Sequence, residues 1–302
     1  MSSYLFIITC LVYFVLIMKK VQSGQVIEFY SNSCLVRTNF GDFSCLAIKN
    51  VVVGDYVELE IIQDSKKLQG KIINIKGRSS KLSKFERNRE KLFASNISHV
   101  GILVTPSPKT STEFIDKWVL KSRLSNITPF IINNKIDTKS DNCYENKLEV
   151  YKNINIKIIN CSAKYEQNLD QLIGFIENKS ILFVGNSGAG KSTLTSKLIG
   201  KDLKTAALSN DQGVHTTSIS SLYELKNNTK IIDSPGMRDI DIKSYSSDQI
   251  ILGFEEILEA SRHCKFNDCN HINNDGCHVI KCLANDEINQ SRYNNFISFR
   301  DC

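Results

Sequence analysis

The sequence predicts three structural units in succession: a small β-barrel, an α/β domain built on a parallel sheet, and a small, mainly helical unit that binds a metal ion. Short alternating strands early in the chain predict the barrel. Apolar runs that alternate with helical stretches predict the parallel sheet. Cysteines and a histidine clustered near the carboxyl terminus predict the metal site. The expected boundaries are 1–20 for an apolar leader, 21–92 for the barrel with a basic linker, 93–242 for the α/β domain and 243–302 for the metal-binding unit.

Length and composition indicate a globular protein with more than one domain. The chain has 302 residues, of which 41% are hydrophobic and 23% are charged, so it can bury substantial cores and is neither disordered nor fibrous. Its ten cysteines are too few for a disulfide scaffold, which indicates a reducing compartment. The net charge of +6 permits a polyanionic partner without requiring one.

The amino terminus carries an unbroken apolar run of 15 residues at 4–18. It is shorter than the roughly 20 residues that span a bilayer. It also lacks the basic residues and the small-residue cleavage site of a secretory signal. A third interpretation is that translation starts at Met18. No membrane association is expected. The intact mass of the native protein shows whether residues 1–17 are present, which tests the start at Met18.

Five short strands are predicted before residue 76, at 25–29, 34–37, 44–48, 56–61 and 70–75. Glycine or polar turns separate them, as at Val53-Gly54-Asp55. A five-stranded unit of about 60 residues is typical of OB-type barrels, which often bind nucleic acid.

A strongly basic stretch follows at 71–91. Two glutamates stand there against eight cations, which are Lys71, Lys76, Arg78, Lys81, Lys84, Arg87, Arg89 and Lys91. A solvated linker is the simple interpretation. Next to a barrel, the stretch also fits a surface that contacts the phosphate backbone of a nucleic acid.

The α/β domain is predicted from five apolar runs, at 99–104, 129–133, 154–159, 181–184 and 229–232. Each run ends in a polar or glycine-rich loop. Such loops lie at the carboxyl ends of the strands, where doubly wound folds bind ligands.

The loop after the fourth run matches the phosphate-binding pattern G-x-x-x-x-G-K-[ST] in full, between a strand and a helix. Backbone N–H groups of such a loop surround phosphate oxygens, Lys191 neutralises their charge and Ser192 offers a hydroxyl to Mg²⁺. The predicted ligands are Gly185, Asn186, Ser187, Gly188, Ala189, Gly190, Lys191, Ser192 and Thr193. A glycine-rich turn without a nucleotide is the alternative.

Two further loops carry residues that select guanine. Asn134, Lys135, Ile136 and Asp137 form the first loop, and Ser162, Ala163 and Lys164 form the second. The first resembles the N-K-x-D element of GTPases, because the carboxylate of Asp137 can accept hydrogen bonds from both N1 and the 2-amino group of guanine. The second resembles their S-A-K loop, whose backbone N–H meets the guanine O6.

The switch elements come last in the chain. Asp233-Ser-Pro-Gly236 resembles D-x-x-G, in which Asp233 holds Mg²⁺ through water and the Gly236 N–H senses the γ-phosphate. Residues 213–218 are the predicted first switch, where Thr217, or alternatively Thr216, caps the Mg²⁺. Because the base loops precede the phosphate loop, the reverse of the usual order, the chain is predicted to be a circularly permuted GTPase. Permutation moves the termini without changing the sheet.

The metal site is predicted at Cys264, Cys269, His271 and Cys277. Three thiolates and one imidazole are the ligands of a closed structural zinc site, which folds its segment and leaves no open position for catalysis. Unligated core cysteines are the alternative. Spacing excludes the nearby His263, His278 and Cys282 as ligands.

The order of barrel, permuted GTPase and Cys3His cluster resembles the ribosome small-subunit-dependent GTPase A (RsgA) family from residue 24 to the end. The motifs that carry the resemblance are Val53-Gly54-Asp55, Gly213-x-His215-Thr-Thr, Asp233-Ser-Pro-Gly, Cys264-Lys-Phe-x-Asp-Cys-x-His271 and Arg292-Tyr293. It implies a cytoplasmic protein that binds the 30S subunit late in its maturation and contacts 16S rRNA through the barrel and the zinc unit. It also implies that the subunit stimulates hydrolysis of GTP to GDP. The chain departs from the family at 82–85, where Leu-Ser-Lys-Phe replaces the more common Leu-x-Arg-Pro.

Hydrolysis is expected to be slow without help. Met237 follows Gly236, where many GTPases place the glutamine that orients the attacking water. His215 is the candidate replacement, beside Lys191 and Thr217 as catalytic residues, although a surface position without catalytic duty is the alternative. Switch two leads within about 30 residues into the zinc unit, so nucleotide state is expected to tilt that unit.

Two other functions are compatible with these motifs. One is another circularly permuted ribosome-assembly GTPase, such as one for the large subunit, against which the barrel and the metal cluster argue. The other is a GTP-regulated RNA-binding adaptor with little turnover, against which the intact Asp137, Lys191, Ser192 and Asp233 argue. A membrane-tethered GTPase is a minor third. The chain is expected to act as a monomer.

Overall fold

The computed structural model describes residues 21–30, 32–62, 68–86, 89–200, 220–233 and 240–301. Among these residues, no helix has the length and apolarity needed to cross a membrane. The predicted leader, with Met18, lies outside the described residues.

Five strands form a closed barrel: β1 (Val21–Phe29), β2 (Ser33–Thr38), β3 (Gly41–Leu46), β4 (Tyr56–Ile62) and β5 (Gln69–Ile75). Antiparallel pairs join β1 to β2, β2 to β3, β5 to β4 and β4 back to β1, and a parallel pair joins β3 to β5. Alternate side chains point inward and fill the interior, including the buried Val36, Phe43 and Leu59. The predicted OB-type barrel is confirmed.

The basic stretch forms regular secondary structure rather than an irregular linker. It contains a hairpin of β6 (Lys81–Glu86) and β7 (Arg89–Ser95), in which Leu82 lies opposite Ala94 and both are buried. Arg78, between β5 and the hairpin, is tied to the barrel, because its Nε and Nη2 each donate to the buried Asp55 carboxylate at 2.6 Å. The simple interpretation of a solvated linker therefore does not hold for the second half of the stretch.

Six strands form the sheet of the α/β domain: β8 (His99–Val104), β9 (Thr128–Asn134), β10 (Ile158–Cys161), β11 (Ser180–Val184), β12 (Ser220–Glu224) and β13 (Lys230–Asp233). Their order is β10-β9-β8-β11-β13-β12. The first five strands in this order are parallel, and β12 runs antiparallel to β13. The predicted parallel sheet is confirmed.

Two strands differ from expectation. The predicted strand at 154–159 is a strand only at Ile158–Cys161, because Ile154 caps the preceding helix and Asn155 has a φ of 60°. Strand β12 was not predicted, because Leu222 is the one buried side chain of the strand and a single apolar position does not make an alternating pattern.

The described part of the α/β domain contains four helices: α1 (Thr112–Leu124), α2 (Asn142–Asn153), α3 (Leu169–Ile176) and α4 (Lys191–Ile199). Side-chain oxygens of Ser111 and Asp141 cap α1 and α2 by accepting from backbone N–H groups three residues later. Helix α1 is buried around most of its circumference, at positions 114–116 and 118–122, because the sheet packs on one side of it and the carboxyl-terminal helices on another.

The carboxyl-terminal unit is mainly helical, as predicted. It contains α5 (Ser247–Ile250), a 3-10 turn (Ile251–Gly253), α6 (Glu255–Ser261), α7 (His278–Ala284) and α8 (Gln290–Arg300). The ring of Phe254 meets Phe296 and Phe299 edge to face, with centroids 5.5 and 5.7 Å apart. These rings belong to the same core as the buried face of α1.

The barrel and the α/β sheet are continuous. Strand β12 pairs antiparallel with β1, with Glu28 opposite Ser221 and Phe29 opposite Ser220. The eleven strands therefore form one hydrogen-bonded sheet that closes on itself at the barrel end.

Candidate nucleotide site and metal centre

The side chain of Asn134 joins the base loops to the phosphate loop. Asn134 is the last residue of β9 and is 1% exposed. Its Nδ2 donates to the carbonyl of Ala189 at 2.9 Å, and its Oδ1 accepts from the N–H of Ala163 at 3.0 Å. Three loops from distant parts of the sequence are thereby held at one edge of the sheet, at the carboxyl ends of its strands.

Asp137 lies at the open side of this edge. The Ser162 hydroxyl donates to Asp137 Oδ1 at 2.5 Å, which orients the carboxylate. The N–H of the neighbouring Ile136 donates to the carbonyl of Cys161 at 3.3 Å. Lys164 is exposed beside them. The residues predicted to read guanine therefore come from two parallel strands, β9 and β10, that end side by side.

Lys135 anchors a loop that the sequence analysis missed. Its backbone adopts a φ of 66°, and its Nζ donates to the carbonyl of Ser107 at 2.8 Å. The loop at 105–110 follows β8, and Pro108 lies 3.6 Å from the position that a Cβ on Gly188 would take. Two prolines directly after a buried strand were the available signal, because they mark a fixed turn at the ligand-binding edge of the sheet.

The phosphate loop requires glycine where it contacts the base loop. Gly190 has a φ of 92°, and a Cβ there would lie 2.5 Å from Asn134 Nδ2. Any side chain would break the contact that joins the loops.

Helix α4 begins directly after this loop, at Lys191. No side chain caps its N-terminus, so its first N–H groups point toward the loop, as in sites that bind phosphate. Lys191 Nζ donates to the carbonyls of Gly185 and Asn186 within the loop. Ser187, Ser192 and Thr193 are exposed at its mouth. The loop thus combines a helix N-terminus, a lysine and three hydroxyls, which fits a phosphate chain with Mg²⁺.

Asp233 ends β13, next to β11 and its phosphate loop. Burial raises the pKa of its carboxyl group, and the nearby Lys191 ammonium acts in the opposite direction. A bound cation would favour the charged form of this carboxylate, as the predicted Mg²⁺ role requires. The other predicted residues at this end, His215, Thr216, Thr217, Gly236 and Met237, lie outside the described residues.

The four predicted zinc ligands lie together. The ligand atoms of Cys264, Cys269, His271 and Cys277 are all within 4.8 Å of one another. The sulfurs of Cys264 and Cys277 are 4.0 Å apart, and each is 3.7 Å from His271 Nδ1. A tetrahedral zinc ion with its usual bond lengths separates such atoms by roughly 3.5–3.8 Å, so the cluster fits the ion.

The electrostatics of the cluster also suit a cation. Burial opposes the charged form of Cys264, but backbone N–H groups of Val279 and His278 lower the pKa of its thiol overall. Burial raises the pKa of Cys277 to about 11, so a metal ion is needed to hold this sulfur as a thiolate. The rings of His263 and His278 contact each other edge to face at 5.4 Å, apart from the cluster. The donor set forms a candidate zinc site.

Comparison with known proteins agrees with this arrangement. Residues 75–243, more than half of the chain, match the family model described as RsgA GTPase. The chain belongs to the RsgA GTPase family. Relatives from Actinobacillus succinogenes and Flavobacterium johnsoniae, both named small ribosomal subunit biogenesis GTPase RsgA, are 32% and 33% identical to it. The alignments cover 91% and 92% of this chain, and 82% and 87% of those relatives.

Solved structures support the same fold. The crystal structure of YjeQ from Thermotoga maritima superimposes with a TM-score of 0.72 at 26% identity, over 93% of this chain and 98% of that one. YloQ, described as a circularly permuted GTPase, gives a TM-score of 0.69 at 22% identity, over 93% of this chain and 94% of its own. The permuted fold and the RsgA resemblance are therefore confirmed. As a member of the RsgA family, the chain is a GTP hydrolase, and this family of GTPases normally uses Mg²⁺.

Proposed function

We propose that this chain binds the 30S ribosomal subunit, assists a late step in its maturation, and hydrolyses GTP to GDP when the subunit stimulates it. Relatives that carry the name small ribosomal subunit biogenesis GTPase match more than nine-tenths of the chain. The structural observation that carries the proposal is the Asn134 amide, which links the Ala163 and Ala189 loops by two hydrogen bonds. This link supports a single nucleotide with its base at one loop and its phosphates at the other.

Each loop has a proposed role. Guanine is read by Asn134, Lys135, Ile136, Asp137, Ser162, Ala163 and Lys164, and the phosphates are held by residues 185–193 together with Asp233 and Gly236. Ser192, Thr217 and Asp233 would hold Mg²⁺, which supplies charge to stabilise the transferred phosphoryl group. Lys191 neutralises the same charge. The zinc ion would hold the carboxyl-terminal loop in its fold and take no part in the reaction.

The partner surface is proposed to be RNA. The barrel and its basic stretch fit a phosphate backbone, and we assign 16S rRNA as that partner, with the zinc unit as a second contact. The protein is proposed to act as a cytoplasmic monomer, with the barrel at 21–92, the GTPase domain at 93–242 and the zinc unit at 243–302.

The decisive experiment is GTP turnover by the full-length, zinc-loaded protein, titrated with purified 30S and 50S subunits. Stimulation by 30S alone is expected, and Lys191→Ala should abolish turnover because the phosphate charge is no longer neutralised. Equal or stronger stimulation by 50S would assign the chain to another step of ribosome assembly. GTP binding without turnover under either subunit would make it an RNA-binding adaptor.

The residue that orients the attacking water is proposed to be His215. The thioether of Met237, beside Gly236, is only a weak hydrogen-bond acceptor and has no N–H to donate, so it cannot replace the glutamine that orients water in many GTPases. A His215→Ala protein should bind GTP and 30S normally but lose about 10²-fold or more in stimulated turnover. Stimulation equal to that of the wild type would remove this role.

A further inference from the structure

The barrel makes direct contact with the two strands that connect the predicted switches. Strand β12 follows the predicted first switch in the sequence, and β13 ends at Asp233, where the second switch begins. Strand β12 extends the barrel through its pairing with β1. The hairpin of β12 and β13 is therefore an edge of the GTPase sheet and a neighbour of the barrel at the same time.

Apolar packing reinforces this pairing. Ile27 and Val53 of the barrel and Leu222 and Ile232 of the hairpin are all buried in one core. At Gly54, a Cβ would lie 3.4 Å from the Ile232 side chain. The residue next to Asp233 is thus packed on the barrel backbone.

Lys230 adds a polar contact at the start of β13. Its Nζ donates to Gln25 Oε1 of the barrel at 2.7 Å and to the Tyr56 hydroxyl at 3.1 Å. The ammonium also lies 5.3 Å from the centre of the Tyr56 ring. The backbone N–H of Lys230 donates to the carbonyl of Lys179, which fixes Lys230 to the GTPase sheet.

We propose that Lys230 is a positioning residue that couples the barrel to the GTP site. Strand β13 has only four residues, so a force on Lys230 is transmitted to Asp233 through one short, hydrogen-bonded segment. A subunit that docks on the barrel would then adjust the carboxylate that holds Mg²⁺. This inference rests on the proposed function and adds the route by which the subunit stimulates turnover.

Thermodynamic linkage makes the coupling measurable from both ends. The subunit and the γ-phosphate are proposed to act on the same strand, β13. A GTP analogue should then tighten 30S binding by a certain factor, and 30S should tighten binding of the analogue by the same factor. Such factors are typically about 5- to 150-fold. Loss of the Lys230 contact should bring both factors toward one together.

The test compares Lys230→Met with Lys226→Met in the full-length, zinc-loaded protein. Both variants remove one positive charge from the same hairpin, but Lys226 is exposed in its turn. With Lys230→Met, GTP affinity and turnover without subunits should stay within about twofold of the wild type. The factor by which a GTP analogue tightens 30S binding should fall at least about fivefold, and stimulation at saturating 30S should fall with it. Lys226→Met should be stimulated like the wild type, and Lys230→Arg should recover much of the loss.

A merely structural role would change other quantities. It would lower the melting temperature, the unstimulated turnover and the stimulated turnover together, and leave their ratio unchanged. Tyr56→Phe provides a milder variant, because it keeps the ring and removes only the hydroxyl that accepts from Lys230. A partial loss of stimulation is expected from it.

The outcomes separate this inference from the proposed function. If 30S does not stimulate the wild-type protein, the proposed function is wrong. If 30S stimulates the wild type and Lys230→Met equally, the proposed function stands and the coupling through Lys230 is overturned.

Discussion

The barrel and the carboxyl-terminal helices are attached to the same GTPase domain by joints of opposite character. At the carboxyl-terminal joint, Arg292 of α8 is fully buried and donates to Asp116 of α1 at 2.6 Å and to Glu256 of α6 at 2.7 Å. Tyr151 and Asn295 also donate to Asp116. Although burial opposes its charge, the carboxylates of Asp116 and Glu256 raise the pKa of the Arg292 guanidinium.

The barrel joint has no comparable buried ion pair among the described residues. It includes two paired positions between β1 and β12, a shared core, and the partly exposed contact of Lys230 with Gln25 and Tyr56. At the start of the GTPase domain, the Ser95 hydroxyl also donates to the buried Asp55 at 2.5 Å, and Asn96 Nδ2 donates to the carbonyl of Gly54 at 2.9 Å. Half-exposed polar contacts contribute about 1 kcal/mol or less each, whereas removing one partner from a buried charge network costs about 3–5 kcal/mol.

The difference indicates which unit can follow the nucleotide. The carboxyl-terminal helices are held to α1, which packs on β8 and β9, by a buried ion pair that is costly to break. The barrel is held by weaker contacts to the switch strands themselves. The expectation that nucleotide state tilts the zinc unit therefore stays a prediction, and the barrel is the better placed unit to respond.

The largest effect is expected at the metal centre of the carboxyl-terminal unit. Cys277→Ser should reduce bound zinc from about one per chain to well below one, because structural zinc supplies about 10 kcal/mol or more to the fold of its segment. The loop at 264–277 should then become sensitive to protease. Cys143→Ser, at an exposed thiol, should keep its zinc. Metal analysis and limited proteolysis measure these two effects. A Cys277→Ser protein that retains a full equivalent of zinc would contradict the assigned site.

The next effect tests the carboxyl-terminal joint. Arg292→Met should lower the free energy of unfolding by about 3–5 kcal/mol, since it leaves the buried Asp116 and the partly buried Glu256 without their cation. Arg262→Met removes an exposed pair with Glu259 and should change the same quantity by about 1 kcal/mol at most. Urea denaturation measures both. Equal effects of the two variants would erase the contrast between the joints.

A smaller effect is expected at the barrel joint. Tyr56→Phe should lower the free energy of unfolding by about 1 kcal/mol or less, because the hydrogen bond from Lys230 is partly exposed to water. The same urea titration applies. A loss as large as that of Arg292→Met would show that the barrel joint is as rigid as the other.

The smallest effect is a pH dependence of stability that arises from Lys121. This residue joins α1 to the hairpin of β6 and β7 and to the carboxyl-terminal unit. Its Nζ donates to Ser83 Oγ at 3.1 Å and to the Tyr245 hydroxyl at 2.7 Å. Burial lowers the pKa of this ammonium, against the opposing charge of Glu90. In the unfolded chain, Lys121 therefore keeps its proton to a higher pH than in the folded chain. The free energy of unfolding rises as the pH increases toward the ordinary lysine pKa of about 10.4.

Relative to Lys121→Met, the unfolding free energy of the wild-type protein should rise as the pH increases from the lowered pKa of Lys121 toward the ordinary value of about 10.4. Below the lowered pKa the difference between the two proteins should be constant. Urea titrations across this range measure it, and a difference that shrinks with rising pH would reverse the assigned sign.

Local motifs made the nucleotide loops and the zinc ligands predictable, because each set of side chains acts through a fixed spacing in the sequence. The pairing of β12 with β1 was not predictable, since Ser220 and Ser221 carry no apolar pattern and their partners lie almost 200 residues away. The pairing of Asp116 with Arg292 was equally hidden, although Arg292 is among the residues that carry the family resemblance. A charged residue in an amphipathic helix is expected to face water, and only the tertiary structure shows two such residues facing each other in the core.

The central claim is that one guanine nucleotide extends from Asp137 to Lys191, and competition binding of GTP and xanthosine triphosphate tests it most directly. Xanthine has an oxygen where guanine has the 2-amino group, so Asp137→Asn exchanges an acceptor for a donor at the matching position. The wild type should prefer GTP, Asp137→Asn should prefer xanthosine triphosphate by about tenfold or more, and Lys191→Ala should weaken both. An Asp137→Asn protein that still prefers GTP would contradict the account.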